Sequence, residues 1–138
     1  MSSPKILIVS GTHGNEINPI WAANKFKQSN QSSNLSFALG NPLAVANGKR
    51  YVDIDLNRSF NEKKNNSINN SYESKRAKYL TNKYGPEGLR PFQIVFDLHT
   101  TTSSMGTCIV MYGRREKDFC LAAILQYKFG LPIYLHEN

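Results

Sequence analysis

Long apolar runs, paired cysteines and acidic side chains are all scarce in this chain, and each shortage removes a class of explanation. The apolar run at residues 6–9 follows a single lysine. It is too short for a membrane span or for the hydrophobic segment of a signal peptide. A soluble, unexported, cytoplasmic protein is therefore expected, with no membrane partner. Cys108 and Cys120 are the only cysteines, lie in apolar surroundings and are not spaced as a CxxC pair. Reduced, partly buried thiols are expected of them rather than a disulfide or a metal site. Ten acidic residues face 17 lysines and arginines, which leaves a net charge of +7. Much of that excess lies in the middle of the chain, at Lys63, Lys64, Lys75, Arg76, Lys78 and Lys83. Such a balance permits nucleic-acid binding or attraction of anionic substrates. No interleaving of basic and aromatic residues accompanies it, so a solvated helix face is expected and no nucleic-acid partner.

What is present fits one domain. A chain of 138 residues, 40% of them hydrophobic, can bury roughly 68–70% of its unfolded surface. No internal repeat and no dividing linker interrupts it. Residues 5–10 predict a short apolar strand. Asn18-Pro19 predicts a helix start, with proline at the first helical position and the helix running to about residue 28. Ile20, Ala23, Phe26 and the stem of Lys27 would face inward. Residues 30–34 read as a polar loop. Leu35, Phe37 and Leu39 then alternate as in a half-buried strand that Asn41-Pro42 breaks.

Residues 61–70 have almost no apolar content and read as an exposed, mobile loop. A helix over 71–84 follows, with Ala77, Leu80 and Tyr84 on one face and Gly85-Pro86 as its stop. Strands are predicted at 91–98 and 107–112. An amphipathic helix at 116–129 ends at Gly130, and a further strand begins at 132–135. The alternation argues an α/β domain with a largely parallel or mixed sheet.

In open α/β sheets, ligands gather beyond the carboxyl ends of the strands. His13 and Glu16 follow the first strand, and His99 ends the one at 91–98. Gly11, Gly14 and Asn15 surround the His-x-x-Glu pair and favour a tight turn in which both side chains converge. Two imidazoles and one carboxylate suit zinc, and three protein ligands describe a catalytic site better than a closed structural one. Asp97 and His99 are two apart in a strand and share a face. Asp97 could orient a ligand imidazole or cap backbone amides near the strand end. Arg50 and Arg58 offer planar forks for carboxylates, with Asn57 beside the second. Alternatively, Asp53 and Asp55 could neutralise them in surface ion pairs. Residues 100–106 read as a polar loop lining the site, since no G-x-S-x-G elbow surrounds their serines. His136 and Glu137 are expected to fray with the terminus.

Three segments, GTHGNE at 11–16, RYVDIDLNRSF at 50–60 and FDLHTTTSSMG at 96–106, together resemble the aspartoacylase branch of the aspartoacylase and succinylglutamate desuccinylase family. The resemblance implies a zinc-carboxypeptidase-like mixed β-sheet flanked by helices. It implies one zinc per chain, held by His13, Glu16 and His99. Arg50 would polarise the scissile carbonyl, and Asn57 and Arg58 would bind a substrate carboxylate. The implied reaction is hydrolysis of N-acetyl-L-aspartate, a small anionic N-acyl amino acid, to aspartate and acetate. A succinylglutamate desuccinylase-like amidohydrolase, or an inactive zinc- and carboxylate-binding fragment, is the alternative. The family's general-base glutamate stands in a Gly-Ile-Glu-Val-like strand that has no counterpart here; Glu116 and Glu137 lack its context. A sheet incomplete on its C-terminal side is thus expected, as is a site completed by a further C-terminal segment or by a second copy in a homo-oligomer.

Overall fold

β-Branched and leucine side chains at Ile6, Leu7, Ile8 and Val9 favour an extended chain, which forms the first strand, β1 (Ile6–Ser10). Residues 3–30, 32–60, 70–104 and 106–136 are described by this computed structural model. The expected loop at 61–70 falls almost wholly outside them, as do Lys63, Lys64 and Glu137. The chain divides into two compact units, Met1–Thr100 and Thr101–Asn138.

In the first unit the order is β1, α1 (Ile17–Ser29), β2 (Leu35–Leu39), α2 (Pro42–Ala46), α3 (Leu56–Ser59), α4 (Tyr72–Tyr84) and β3 (Ile94–Leu98). The sheet has strand order β2-β1-β3, and both ladders are parallel. Ser10 pairs with Leu39 on one side and Leu98 on the other, so the three strands finish level. That register brings the segments after each strand to one edge of the sheet. Of the largely parallel or mixed sheet expected, the described ladders are all parallel.

Several elements depart from expectation for identifiable reasons. α1 begins at Ile17, with Glu16 as its N-cap, so Pro19 is the third helical residue and not the first. The Glu16 side chain makes no cap bond because it is engaged elsewhere. Ala23 is buried as expected, whereas Phe26 is half exposed and meets Phe37 edge-on, their ring centres 6.2 Å apart. Asn41-Pro42 does more than break a strand. Asn41 caps α2 by accepting the Ala44 amide, and Pro42 opens that helix. α2 and α3 have five and four residues, too few to carry a periodic signal.

α4 matches its expected face. Ala77 and Leu80 are buried with Leu56 of α3, and Tyr84 packs against them. Arg76 of the same helix donates to the carbonyls of Leu39 and Gly40 at 2.7 and 2.8 Å, fastening α4 to the end of β2. α4 thereby braces both α3 and the edge of the sheet where the loops gather.

The second unit contains β4 (Ile109–Met111), α5 (Glu116–Phe129) and β5 (Ile133–Leu135), with β4 and β5 parallel. Gly130 closes α5 in the left-handed region at φ 66°. Met111 and Ala122 are buried, while Ile124, Tyr127 and Phe129 of α5 are exposed, contrary to a simple amphipathic reading. His136 is held rather than frayed: its amide donates to Met111 and its ring stacks on Tyr112. Both cysteines are free, Cys108 partly buried and Cys120 exposed. Among the described residues no helix is long and apolar enough to cross a membrane.

Candidate metal centre

The segment after β1 turns sharply. Gly11 adopts φ +65°, a conformation glycine takes at no steric cost. The Glu16 amide donates to the His13 carbonyl, so residues 13–16 form a turn and not a helix. Gly14 lies against α2; a Cβ there would stand 2.1 Å from the Ala44 carbonyl carbon. This contact fixes the turn between the two ligand positions. His13 and Glu16 are both buried.

Ligand atoms of His13, Glu16 and His99 lie within 4.8 Å of one another. His13 Nδ1 is 2.6 Å from Glu16 Oε1, and His99 Nδ1 is 3.2 Å from Glu16 Oε2. The imidazoles meet edge to face, ring centres 4.9 Å apart. Their far nitrogens are also taken. His13 Nε2 faces Asp55 Oδ1 at 3.2 Å, and His99 Nε2 faces Asp97 Oδ2 at 2.9 Å. Thr12 donates its hydroxyl to Asp97, and the Asn57 amide donates to Asp55 Oδ1.

Each imidazole is therefore clasped by carboxylates at both nitrogens. An ionised carboxylate only accepts hydrogen bonds, so each facing nitrogen must carry a proton or else face a cation. A cation bound by Glu16 and the two Nδ1 atoms would leave each Nε2–H to donate to its own aspartate. That is the carboxylate–histidine–metal arrangement of protein zinc sites. The donor set fits zinc on those grounds.

Electrostatics agree with the geometry. Burial opposes ionisation of Glu16, but the Thr100 amide at 2.7 Å and the two histidines outweigh it and hold its pKa below the usual value. Burial likewise opposes ionisation of Asp55, and the bonds from His13 and Asn57 reverse the balance. The bond to Asp97 raises the His99 pKa, against the effect of burial and with help from Glu16.

Arg50 reaches the same cluster. One guanidinium nitrogen is 3.2 Å from Asp55 Oδ2 and another 3.9 Å from Glu16 Oε1. The Gly14 amide donates to the Arg50 carbonyl, which ties the arginine to the ligand turn. Asn57 and Arg58 lie on α3, exposed. Of the expected ion pairs, the one between Asp55 and Arg50 is present, whereas the Asp53 carboxylate pairs with neither arginine and accepts the Tyr72 amide at the start of α4. Asp55 and Thr12 were not singled out as site residues from the sequence, and only the position of Asp55 beside Asn57 hints at its part. Glu73 was missed entirely. It is fully buried on α4 and accepts bonds from Asn41 and from the amides of Val52, Asp53 and Ile54.

A two-histidine, one-carboxylate cluster beyond the strand ends of a parallel α/β sheet is a donor set and a location in which catalytic metal sites are found. The chain belongs to the succinylglutamate desuccinylase/aspartoacylase catalytic domain family, whose profile it matches over residues 2–138. It is 62% identical over 142 residues to a protein named probable aspartoacylase from Prochlorococcus marinus strain MIT 9515, covering all of this chain and 48% of that one. A protein of the same name from strain NATL2A is 49% identical over 144 residues, covering all of this chain and 47% of the relative. The chain thus spans about half the length of the curated relatives it matches. Among solved structures, murine aminoacylase 3 superposes with a TM-score of 0.75 at 31% identity, over 98% of this chain and 48% of the other. A succinylglutamate desuccinalase from Vibrio parahaemolyticus gives 0.68 at 20% identity, over 99% and 50%, and shares the fold.

Proposed function

We propose that this chain supplies the zinc site and part of the substrate cradle of an amidohydrolase that cleaves N-acetyl-L-aspartate to aspartate and acetate. The observation that carries the reading is the convergence of His13, Glu16 and His99, with the outer imidazole nitrogens engaged by Asp55 and Asp97. It is supported by family membership and by the names of the curated relatives.

One zinc per chain would be held by His13, Glu16 and His99. When bound, zinc supplies positive charge that polarises the amide carbonyl and lowers the pKa of water. With an ion bound, Asp55 and Asp97 would accept hydrogen bonds from the Nε2–H groups and so hold the two imidazoles in place as ligands. Arg50 offers a second positive pole for charge developing on the carbonyl oxygen; one such donor is commonly worth about 3–4 kcal/mol. The Arg58 fork and the Asn57 side-chain amide bind a substrate carboxylate. The Asn57 backbone amide is spent on Asp55, while its exposed side chain is the part offered to substrate. Holding that carboxylate orients the amide and converts binding into positioning. No residue of this chain is assigned the general base. The same reading places the protein in the cytoplasm, with a small anionic substrate as partner.

Metal analysis of the purified protein against His99→Ala tests the site: about one zinc per chain is expected in the first and a large deficit in the second. Equal zinc in both would end the reading. Calorimetry of the zinc-loaded protein with N-acetyl-aspartate and N-succinyl-glutamate tests the substrate class. Tighter binding of the first is expected, and tighter binding of the second would transfer the assignment to the desuccinylase side of the family.

A further inference from the structure

A glutamate in the first turn of a helix is usually an exposed partner of the helix dipole. Glu73 occupies that position on α4, yet its side chain is fully buried. Removing a carboxylate from water costs several kcal/mol unless hydrogen bonds replace the lost hydration. Here four donors do so. Oε1 accepts the Asn41 side-chain amide at 2.9 Å and the Val52 backbone amide at 2.7 Å. Oε2 accepts the amides of Asp53 and Ile54 at 3.1 and 3.2 Å. Three successive N–H groups of one loop thus converge on a single internal anion, as such groups do around bound phosphate.

The loop is the one that carries the proposed substrate residues. Arg50 lies two positions before the cradle, Asp55 one position after it, and Asn57 and Arg58 follow on α3. Asn41, the fourth donor, also caps α2, against which the ligand-bearing turn packs at Gly14. Glu73 is therefore joined through the loop to Asp55 and His13, and through Asn41 and α2 to the turn that holds His13 and Glu16.

We propose that Glu73 is a positioning residue whose buried carboxylate sets the shape of residues 52–58, presenting Asp55 to His13 and the Asn57–Arg58 pair to a substrate carboxylate. The substrate half of this inference rests on the amidohydrolase reading above; the loop half stands without it. A carboxylate at this point accepts from all four donors at once. An amide would turn an NH2 group against two of them.

The test compares backbone amide signals of the isotopically labelled chain with those of Glu73→Gln and Glu73→Asp. In the wild type, the Val52, Asp53 and Ile54 amides are expected to be strongly protected from hydrogen exchange. In Glu73→Gln, signals of residues 52–58 should move and the three amides should exchange about tenfold faster or more. Glu73→Asp, which keeps the charge but withdraws it by one methylene, should fall between. Glu73→Gln should also bind zinc more weakly, since Asp55 is no longer presented to His13. At saturating zinc it should bind N-acetyl-aspartate about tenfold more weakly or worse. Unchanged signals at 52–58, or a moved loop with undiminished ligand affinity, would overturn the proposal. So would unprotected amides in the wild type, a result that needs no variant to fold. Failure of the wild type to take up zinc would defeat the amidohydrolase reading alone, since the amide comparison is made on the metal-free chain.

Discussion

Asp55→Asn isolates the contribution of a carboxylate behind a proposed metal ligand. Asp55 faces His13 Nε2 and Arg50 at 3.2 Å each, and takes the Asn57 amide at 2.9 Å. Asparagine preserves the shape and one acceptor oxygen. It removes the negative charge beside the imidazole and sets an NH2 group against the Arg50 guanidinium. Without an anionic partner, the His13 ring is held less firmly in the orientation a ligand needs. Loss of such an outer carboxylate typically weakens metal binding about 10–100-fold. At about 1.4 kcal/mol for each factor of ten, the expected penalty is roughly 1.4–2.8 kcal/mol. Burial favours the upper part of that range: the Asp55 side chain is 16% exposed against 33% for Asp97, so solvent screens it less.

Competition for zinc against a chromophoric chelator reads this difference directly. Asp53→Asn is the control. Asp53 is two residues away and holds the Tyr72 amide at 2.7 Å, with no imidazole among its partners. It should bind zinc as the wild type does. Wild-type affinity in Asp55→Asn, or an equal loss in Asp53→Asn, would refute the reasoning.

Two further outcomes are expected. Gly14→Ala would press a methyl group into the α2 backbone, 2.1 Å from the Ala44 carbonyl carbon and 2.3 Å from the Val45 nitrogen. A loss of about 1–3 kcal/mol in chemical denaturation should follow, together with weaker zinc binding; a variant as stable as wild type would deny the close approach. The acid limb of stability should carry a contribution from Glu73. Burial opposes its ionisation, but the bonds from Val52, Asn41, Asp53 and Ile54 prevail and lower its pKa in the folded chain. The unfolded chain thus binds a proton here at higher pH than the folded one. The contribution is complete above the ordinary glutamate value and is lost as pH falls through the lowered one. Urea unfolding across the carboxylate range should show a shallower pH slope for Glu73→Gln, and an identical slope would contradict this account.

The sequence disclosed what was local. The helix at Glu116–Phe129 carries Asp118 in its first turn and glycine just past its end, and these signals mark both boundaries. The Asp97–His99 contact follows from strand periodicity, because alternate residues share a face. His13 and Glu16 were recognisable by the glycines that turn the chain between a strand and a helix. What remained hidden depends on segments distant in sequence. Asp55 meets His13 across 42 residues, and Glu73 meets Val52 across 21. A DxD alternation reads equally well as a surface ion pair, and a first-turn glutamate as a solvated one. Neither composition nor period says that a loop will return to cover them. α2 and α3 escaped because a single turn of helix has no periodicity to detect.

The charge balance of the cluster bears on why these groups are assembled at all. Glu16, Asp55 and Asp97 gather around His13 and His99, and Arg50 approaches two of the three carboxylates. With neutral imidazoles, three anions and one guanidinium leave an excess of two negative charges. Such an excess is costly in a site where Glu16 and His13 are buried. Two added protons would neutralise it, one on each ring, and so would a single divalent cation at the shared Glu16 edge. Protons and cation compete for the same nitrogens, which is the coupling expected of a metal site. A purely structural ion-pair cluster has no need of two acceptor-only groups on each imidazole, since one suffices to hold a ring. The doubled carboxylates are accounted for when the inner one shares an ion with both rings and the outer ones hold those rings in place.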